Sequence, residues 1–148
     1  MDDLIRKVSD LLNEQTAAYG RLENVTAQLS AALVRSEIPL IESLTKAAET
    51  ELLRMRSRLL EITSALTKFA EGRAAEPDKT GLEAETRQKF DSAAKSLLEA
   101  ARSFQKISHR TANLAMGGSS FASACIQMCG VPAMTYSAPV LKYAEAMR

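Results

Sequence analysis

The chain has 148 residues, long enough for one domain and short for two, and 19 basic against 18 acidic side chains leave a net charge of +1 at pH 7. That balance argues against a nucleic-acid binder, which carries a basic excess to neutralise phosphate. With no Trp, few other aromatics, six Gly and abundant Leu, Ala, Glu, Lys and Arg, the composition points to an all-α protein.

The N-terminus, "MDDLIRKVSD", mixes charged with apolar residues from the start. It has no apolar core of the kind a signal peptide needs, so a cytosolic protein is expected. Leu4, Val8, Leu11, Gln15, Ala18, Leu22, Val25, Leu29 and Ala32 then alternate in steps of four and three, widened on one side by Leu12, Tyr19 and Leu33. This spacing predicts one amphipathic helix from about Asp3 to Arg35, roughly 50 Å long at the usual rise.

In "VRSEIPLIES" the phase of the stripe slips by two residues. Ser36 is a suitable N-cap, Glu37 suits the dipole of a first turn, and Pro39 costs little where N–H groups lack helical partners. A tight turn is therefore expected, followed by a second helix from about Glu37 to Glu71. Its predicted stripe is Ile38, Ile41, Thr45, Ala48, Leu52, Met55, Leu59, Ile62, Leu66 and Phe69.

"EGRAAEPDKTG" reads as a loop, with Gly72, Pro77, Asp78 and Gly81 as turn formers. Phe90, Ala94, Leu97, Ala101, Phe104 and Ile107 restart the stripe, with Leu98 beside them. The expected fold is thus all-α: a long antiparallel helical hairpin plus a third long helix, a three- to four-helix bundle or coiled coil with an irregular C-terminal tail. The parts are a hairpin over 1–71, a loop over 72–81, a third helix over 82–130 and a mobile tail over 131–148, in a single helical domain of 1–148. Gly117–Gly118 mark where the third helix would break or kink, and Gly130 with Pro132 ends it.

From Thr111 to Leu141 no residue is charged. Asn113, Gln127, four Ser, three Gly and Pro132 interrupt this block, so it holds no run of about 20 predominantly apolar residues and no stable membrane insertion is expected. Two readings remain open on composition. The block is either an ordinary core helix, with Leu114, Phe121, Cys125, Ile126 and Met128 packed on the hairpin, or an uncharged surface on which another amphipathic helix lies. Cys125 and Cys129, four apart, read as small buried thiols, not a disulfide or a zinc site, since the only other soft ligand is His109.

Chemistry finds little to work with. "HRTANLAMGGSS" is loosely similar to histidine phosphotransfer helices, but Gly117 lies too far from His109 and no Lys intervenes, so His109 reads as a surface residue. Arg54, Arg56 and Arg58 in "RMRSR" read as a solvated face with Glu51 and Glu61 nearby. No catalytic constellation, phosphate loop or carboxylate–histidine metal pair stands out, which favours a binding protein over an enzyme.

The segment "LLNEQTAAYGRLENVTAQLSAALVRSEIPLIESLTKAAETELLRMRSRL" resembles the FlgN family of flagellar type III export chaperones. Leu11, Leu12 and Glu14 match its Leu-Leu-x-Glu start, and Tyr19 follows. Ala32–Leu33 stand before a polar turn, and Leu44 and Leu52–Leu53 lead into an Arg-bearing helix. Asn113 and Gly117 fit part of an N-x-x-N-G element, with Met116 in place of the second Asn, and Thr135–Tyr136 fit a TYG-like element, with Ser137 in place of Gly.

The resemblance implies a cytosolic chaperone, without cofactor or ATP, that binds the C-terminal helices of the junction proteins FlgK and FlgL and delivers them to an export-gate component. It makes Tyr136 the candidate gate contact. Leu114, Phe121, Ala122, Cys125, Ile126 and Met128 in the neutral block become the candidate client contacts. Two alternatives stand beside this reading: a chaperone for a different flagellar client, and a structural coiled-coil protein that self-associates or coats an apolar surface. Exposed seams serve a homodimer as readily as a monomeric bundle.

Overall fold

The computed structural model describes residues 1–77 and 81–128, with side chains described as far as Gly118. Three helices hold nearly all of these residues, α1 (Asp2–Arg35), α2 (Ile38–Ala75) and α3 (Ala84–Met128), and no strand occurs among them. The fold is an all-α helical bundle. The expected tail over 131–148 lies outside the described residues.

Helix boundaries follow from local hydrogen bonding. At the start of α1 the Met1 carbonyl accepts the N–H groups of Leu4 and Ile5 at 3.1 and 3.2 Å, while Asp2 and Asp3 place negative charge at the positive end of the helix dipole. The α2 helix runs on past Glu71, where a loop was expected, to Ala75. Gly72 weakens a helix by about 1 kcal/mol relative to alanine. It is nevertheless followed by the good helix formers Arg73, Ala74 and Ala75, and the Met1 side chain lies where a Gly72 Cβ would meet its Cε at 3.5 Å. The α3 helix opens at Ala84, with the Glu83 carbonyl accepting the Arg87 N–H at 3.0 Å. It then continues unbroken through Gly117 and Gly118 to Met128.

The α1–α2 turn differs from expectation in one respect. Ser36 has a φ of 56°, in the left-handed region, and does not cap α2. Its N–H donates to the Leu33 carbonyl at 3.2 Å, and the Glu37 N–H donates to the Ala32 carbonyl at 3.1 Å. These two bonds form a Schellman motif, so Ser36 closes α1. The Glu37 carbonyl instead accepts the first bond of α2, from Ile41 at 3.0 Å, which makes Glu37 the N-cap. Pro39 follows within the first turn, where its missing N–H is not needed.

Contacts group the chain into two compact units, each drawing on all three helices: Met1–Arg21 with Thr50–Ser103, and Leu22–Glu49 with the chain from Phe104. In the first unit Val8, Leu11 and Leu12 of α1 meet Ile62 and Ala65 of α2 and Ala93 of α3, with Leu4, Phe90, Ala94 and Leu97 packed around them. In the second, Leu29 and Ala32 of α1 meet Leu44 of α2, flanked by Val25, Leu33 and Ile41. There the Ser30 and Thr111 hydroxyls share a 2.7 Å hydrogen bond between α1 and α3.

The stripe of α1 is buried or half-buried at every expected position. On α3 the expected large residues Phe90, Leu97, Phe104 and Ile107 are only half-buried, and the most buried side chains are the small ones, Thr86, Ala93, Ser108, Thr111 and Ala115. Small residues along the centre of a contact stripe let helix axes approach, with bulkier neighbours closing the flanks. The stripe expected for α2 needs correction. Ile38, Leu59 and Leu66 are exposed, and the buried positions are Leu44, Ala48, Glu51, Met55, Ile62 and Ala65, with Arg58 half-buried among them. Glu51 and Arg58 thus occupy the seam, while Leu59, one residue beyond Arg58, faces water and Leu52, one residue beyond Glu51, is half-buried.

Candidate functional site

The end of α3 carries the residues expected to touch a client. Thr111 and Ala115 are buried there, whereas Leu114 and Met116 stand 38 % and 40 % exposed. An added Cβ at Gly117 or Gly118 would meet nothing within 4 Å, so the protein's own described packing does not require glycine at either position. Phe121, Ala122, Cys125, Ile126 and Met128 lie on the helical backbone of α3, but their side chains fall outside those described, as does Tyr136 altogether. His109 is exposed, as the sequence led us to expect.

A second apolar surface was not anticipated. In the first unit α2 is apolar on two sides, one facing the core and the other facing solvent. Leu53 and Leu60 are each 67 % exposed, Leu59 54 % and Leu66 37 %. Thr63 and Thr67 lie among them, and their hydroxyls donate back to the carbonyls of Leu59 and Thr63, each at 2.9 Å. Arg56 is the one charge within this face. The signal was present in the sequence: between Leu52 and Leu66 α2 carries more leucines than one contact stripe can bury.

The polar seam of the first unit is equally specific. Gln15, buried on α1, donates from Nε2 to the Met55 carbonyl at 3.3 Å and accepts from Arg58 Nη1 at 3.0 Å. Arg58 Nε also donates to Glu14 Oε2 at 3.2 Å. Arg58 is therefore held between helices, and the expectation of a solvated face fits Arg54 and Arg56 but not this residue. About two helical turns away, the largely buried Glu51 carboxylate accepts from Arg21 at 2.8 and 3.1 Å through one oxygen, with Arg54 at 3.9 Å from the other.

A groove in this unit is lined by Arg6, Asp10, Asn13, Gln88 and Lys89. Its cations are already neutralised, Arg6 by Glu83 at 3.0 Å and Lys89 by Glu85 at 2.7 Å. The Lys89 hydrogen bond and charge hold the exposed Glu85 carboxyl below its ordinary range. Among the described residues no three His, Cys, Asp or Glu side chains converge on a metal position, and no helix is long and apolar enough to cross a membrane. Compared with known proteins, the chain matches no family model, no curated protein and no solved structure.

Proposed function

We propose that this protein is an export chaperone of the FlgN type, which holds the C-terminal amphipathic helix of a hook–filament junction protein in the cytosol and hands it to the export gate. The observation that carries this reading is the two-sidedness of α3 where the uncharged stretch begins. Thr111 and Ala115 turn inward while Leu114 and Met116 meet solvent, followed by Gly117 and Gly118 with open space about them. A helical glycine costs about 1 kcal/mol against alanine, and here that cost leaves room for another backbone to come close. An uncharged surface also covers a client's apolar stripe without stripping water from fixed charges. The order of sequence elements shared with the FlgN family supports the same reading, with FlgK and FlgL as clients. Tyr136 is the proposed gate contact, and release follows from competition at the gate without a cofactor.

The test is a titration of the full chain into a fluorescently labelled peptide carrying the C-terminal helix of a junction protein, read by anisotropy. Saturable binding is expected, and Leu114→Glu should weaken it by about tenfold or more with the circular dichroism spectrum unchanged. Undiminished binding by that variant would show the site to be elsewhere. Avid binding to liposomes with no affinity for any such peptide would replace this reading with that of a surface-coating coiled coil.

A further inference from the structure

We propose that the client helix sits on a step in the second unit, where α1 ends and α3 runs on. Its terminal turn abuts Val34, and its length follows α3 along the line that α1 leaves. The inference rests on the chaperone reading and adds to it the place of the seat, its length and a second wall outside α3. In the first unit Arg6 meets Glu83 and Leu11 clusters with Ala93, so α1 and α3 advance in the same direction. In the second unit the Ser30 and Thr111 hydroxyls set the two helices level. Five residues past that pair α1 stops at Arg35, while five residues past it α3 has only reached Met116. The turn takes just Ser36 and Glu37 before α2 begins its return. Residues 117–128 of α3 therefore extend beyond the hairpin, about 18 Å of helix at the usual rise. The open space about Gly117 and Gly118 lies where this extension begins.

Both walls of the step are apolar. Residues four apart stand one above the other on a helix, and residues three apart nearly so. Val34 is thus one turn beyond Ser30 on the flank of α1 that meets α3, and Leu114 is one turn beyond Thr111. Val34 is nevertheless 71 % exposed and Leu114 more than a third exposed, with Ile38 and Leu40 adding apolar surface at the same end of the hairpin. All four belong to the second unit. Continuity with the α1–α3 contact names the occupant. Ser108, Thr111 and Ala115 are the buried positions of α3 there, and the same spacing of three and four continues onto the extension at Gly118, Ala122 and Cys125. Beyond Arg35 α3 thus keeps the sequence pattern of a surface that packs a helix, and the chain's own hairpin no longer reaches it. A helix of about three turns fills that length. Because no residue from Thr111 onward through Leu141 is charged, the stripe that helix turns inward is apolar.

The test uses the full chain and the labelled junction-protein helix peptide. Val34→Glu, altered at an exposed site far from α3 in sequence, should weaken binding by about fivefold or more with helicity unchanged. Leu60→Glu, an equal change at an exposed leucine of the first unit, should leave binding as it is. A photo-crosslinking side chain in place of Val34 should capture residues of the peptide's terminal turn. Binding that Leu114→Glu weakens but Val34→Glu does not would overturn the step and leave the chaperone reading standing. Crosslinks spread along the middle of the peptide, or an equal loss in Leu60→Glu, would also overturn the step alone. A wild type that binds no such peptide would overturn both.

Discussion

Ser36 sits in a backbone conformation that glycine adopts without strain, whereas Gly20 sits in an exposed helical one that glycine weakens. The left-handed φ of 56° costs a side-chain-bearing residue about 1 kcal/mol or more. Ser36→Gly should therefore raise stability by about 0.5–1 kcal/mol, since the gain slightly exceeds the added freedom of the unfolded chain. Gly20→Ala should raise it by a similar amount, about 0.5–1 kcal/mol, because the new Cβ meets nothing within 4 Å. Urea titration of both variants checks the pair; a loss at either position would contradict the turn geometry or the open surface. Thr86 poses a different question. It is buried on α3 and its hydroxyl has no hydrogen-bond partner. Thr86→Val keeps the shape and removes the unsatisfied oxygen, so a gain of about 1 kcal/mol is expected in the same titration.

The helices differ in how plainly their packing could be read from sequence. For α1 the apolar spacing names the buried face directly, because nearly every seam position is apolar and Gln15, the exception, keeps the phase. For α2 the leucines mislead. Leu52, Leu59 and Leu66 repeat as regularly as a core stripe, while the real seam passes through Glu51 and Arg58, residue types whose side chains read as surface. Only the partners on α1, Arg21 for Glu51 and Gln15 with Glu14 for Arg58, make those positions inward. No pattern within one helix reports a partner on another. Of the proposed client contacts, Leu114 is the one whose side chain is described, and it is exposed on α3; the exposed leucines of α2 were not legible, because their regular spacing reads as a core stripe. The energetics of the Arg21–Glu51 contact follow from its burial. Arg21→Ala leaves a largely buried carboxylate with Arg54 at 3.9 Å and should destabilise by about 1–3 kcal/mol. The double change Arg21→Met with Glu51→Leu removes both charges and should be close to neutral. A double variant as unstable as the single one would show that packing, not desolvation, sets the cost.

At the scale of the whole molecule, charge near neutrality matters more than any one contact. A net charge of +1 at pH 7 means that the chain crosses zero just above neutral pH, where mutual repulsion is weakest. With leucines outward on α2, solubility should pass through a minimum there and recover on either side, a profile that precipitation assays from pH 5 to about pH 10 would trace. Solubility that falls steadily across that range would assign aggregation to something other than loss of repulsion.

The contacts of Glu14, Gln15 and Arg21 with Arg58 and Glu51 also act like the wards of a lock. Because the apolar pattern repeats every seven residues, greasy side chains alone would tolerate α2 sliding one heptad along α1 within the first unit. Slid one way, Arg58 would arrive beside Arg21; slid the other, Glu51 would arrive beside Glu14. Either misalignment sets like charges against each other, so only one closure of the hairpin satisfies them all.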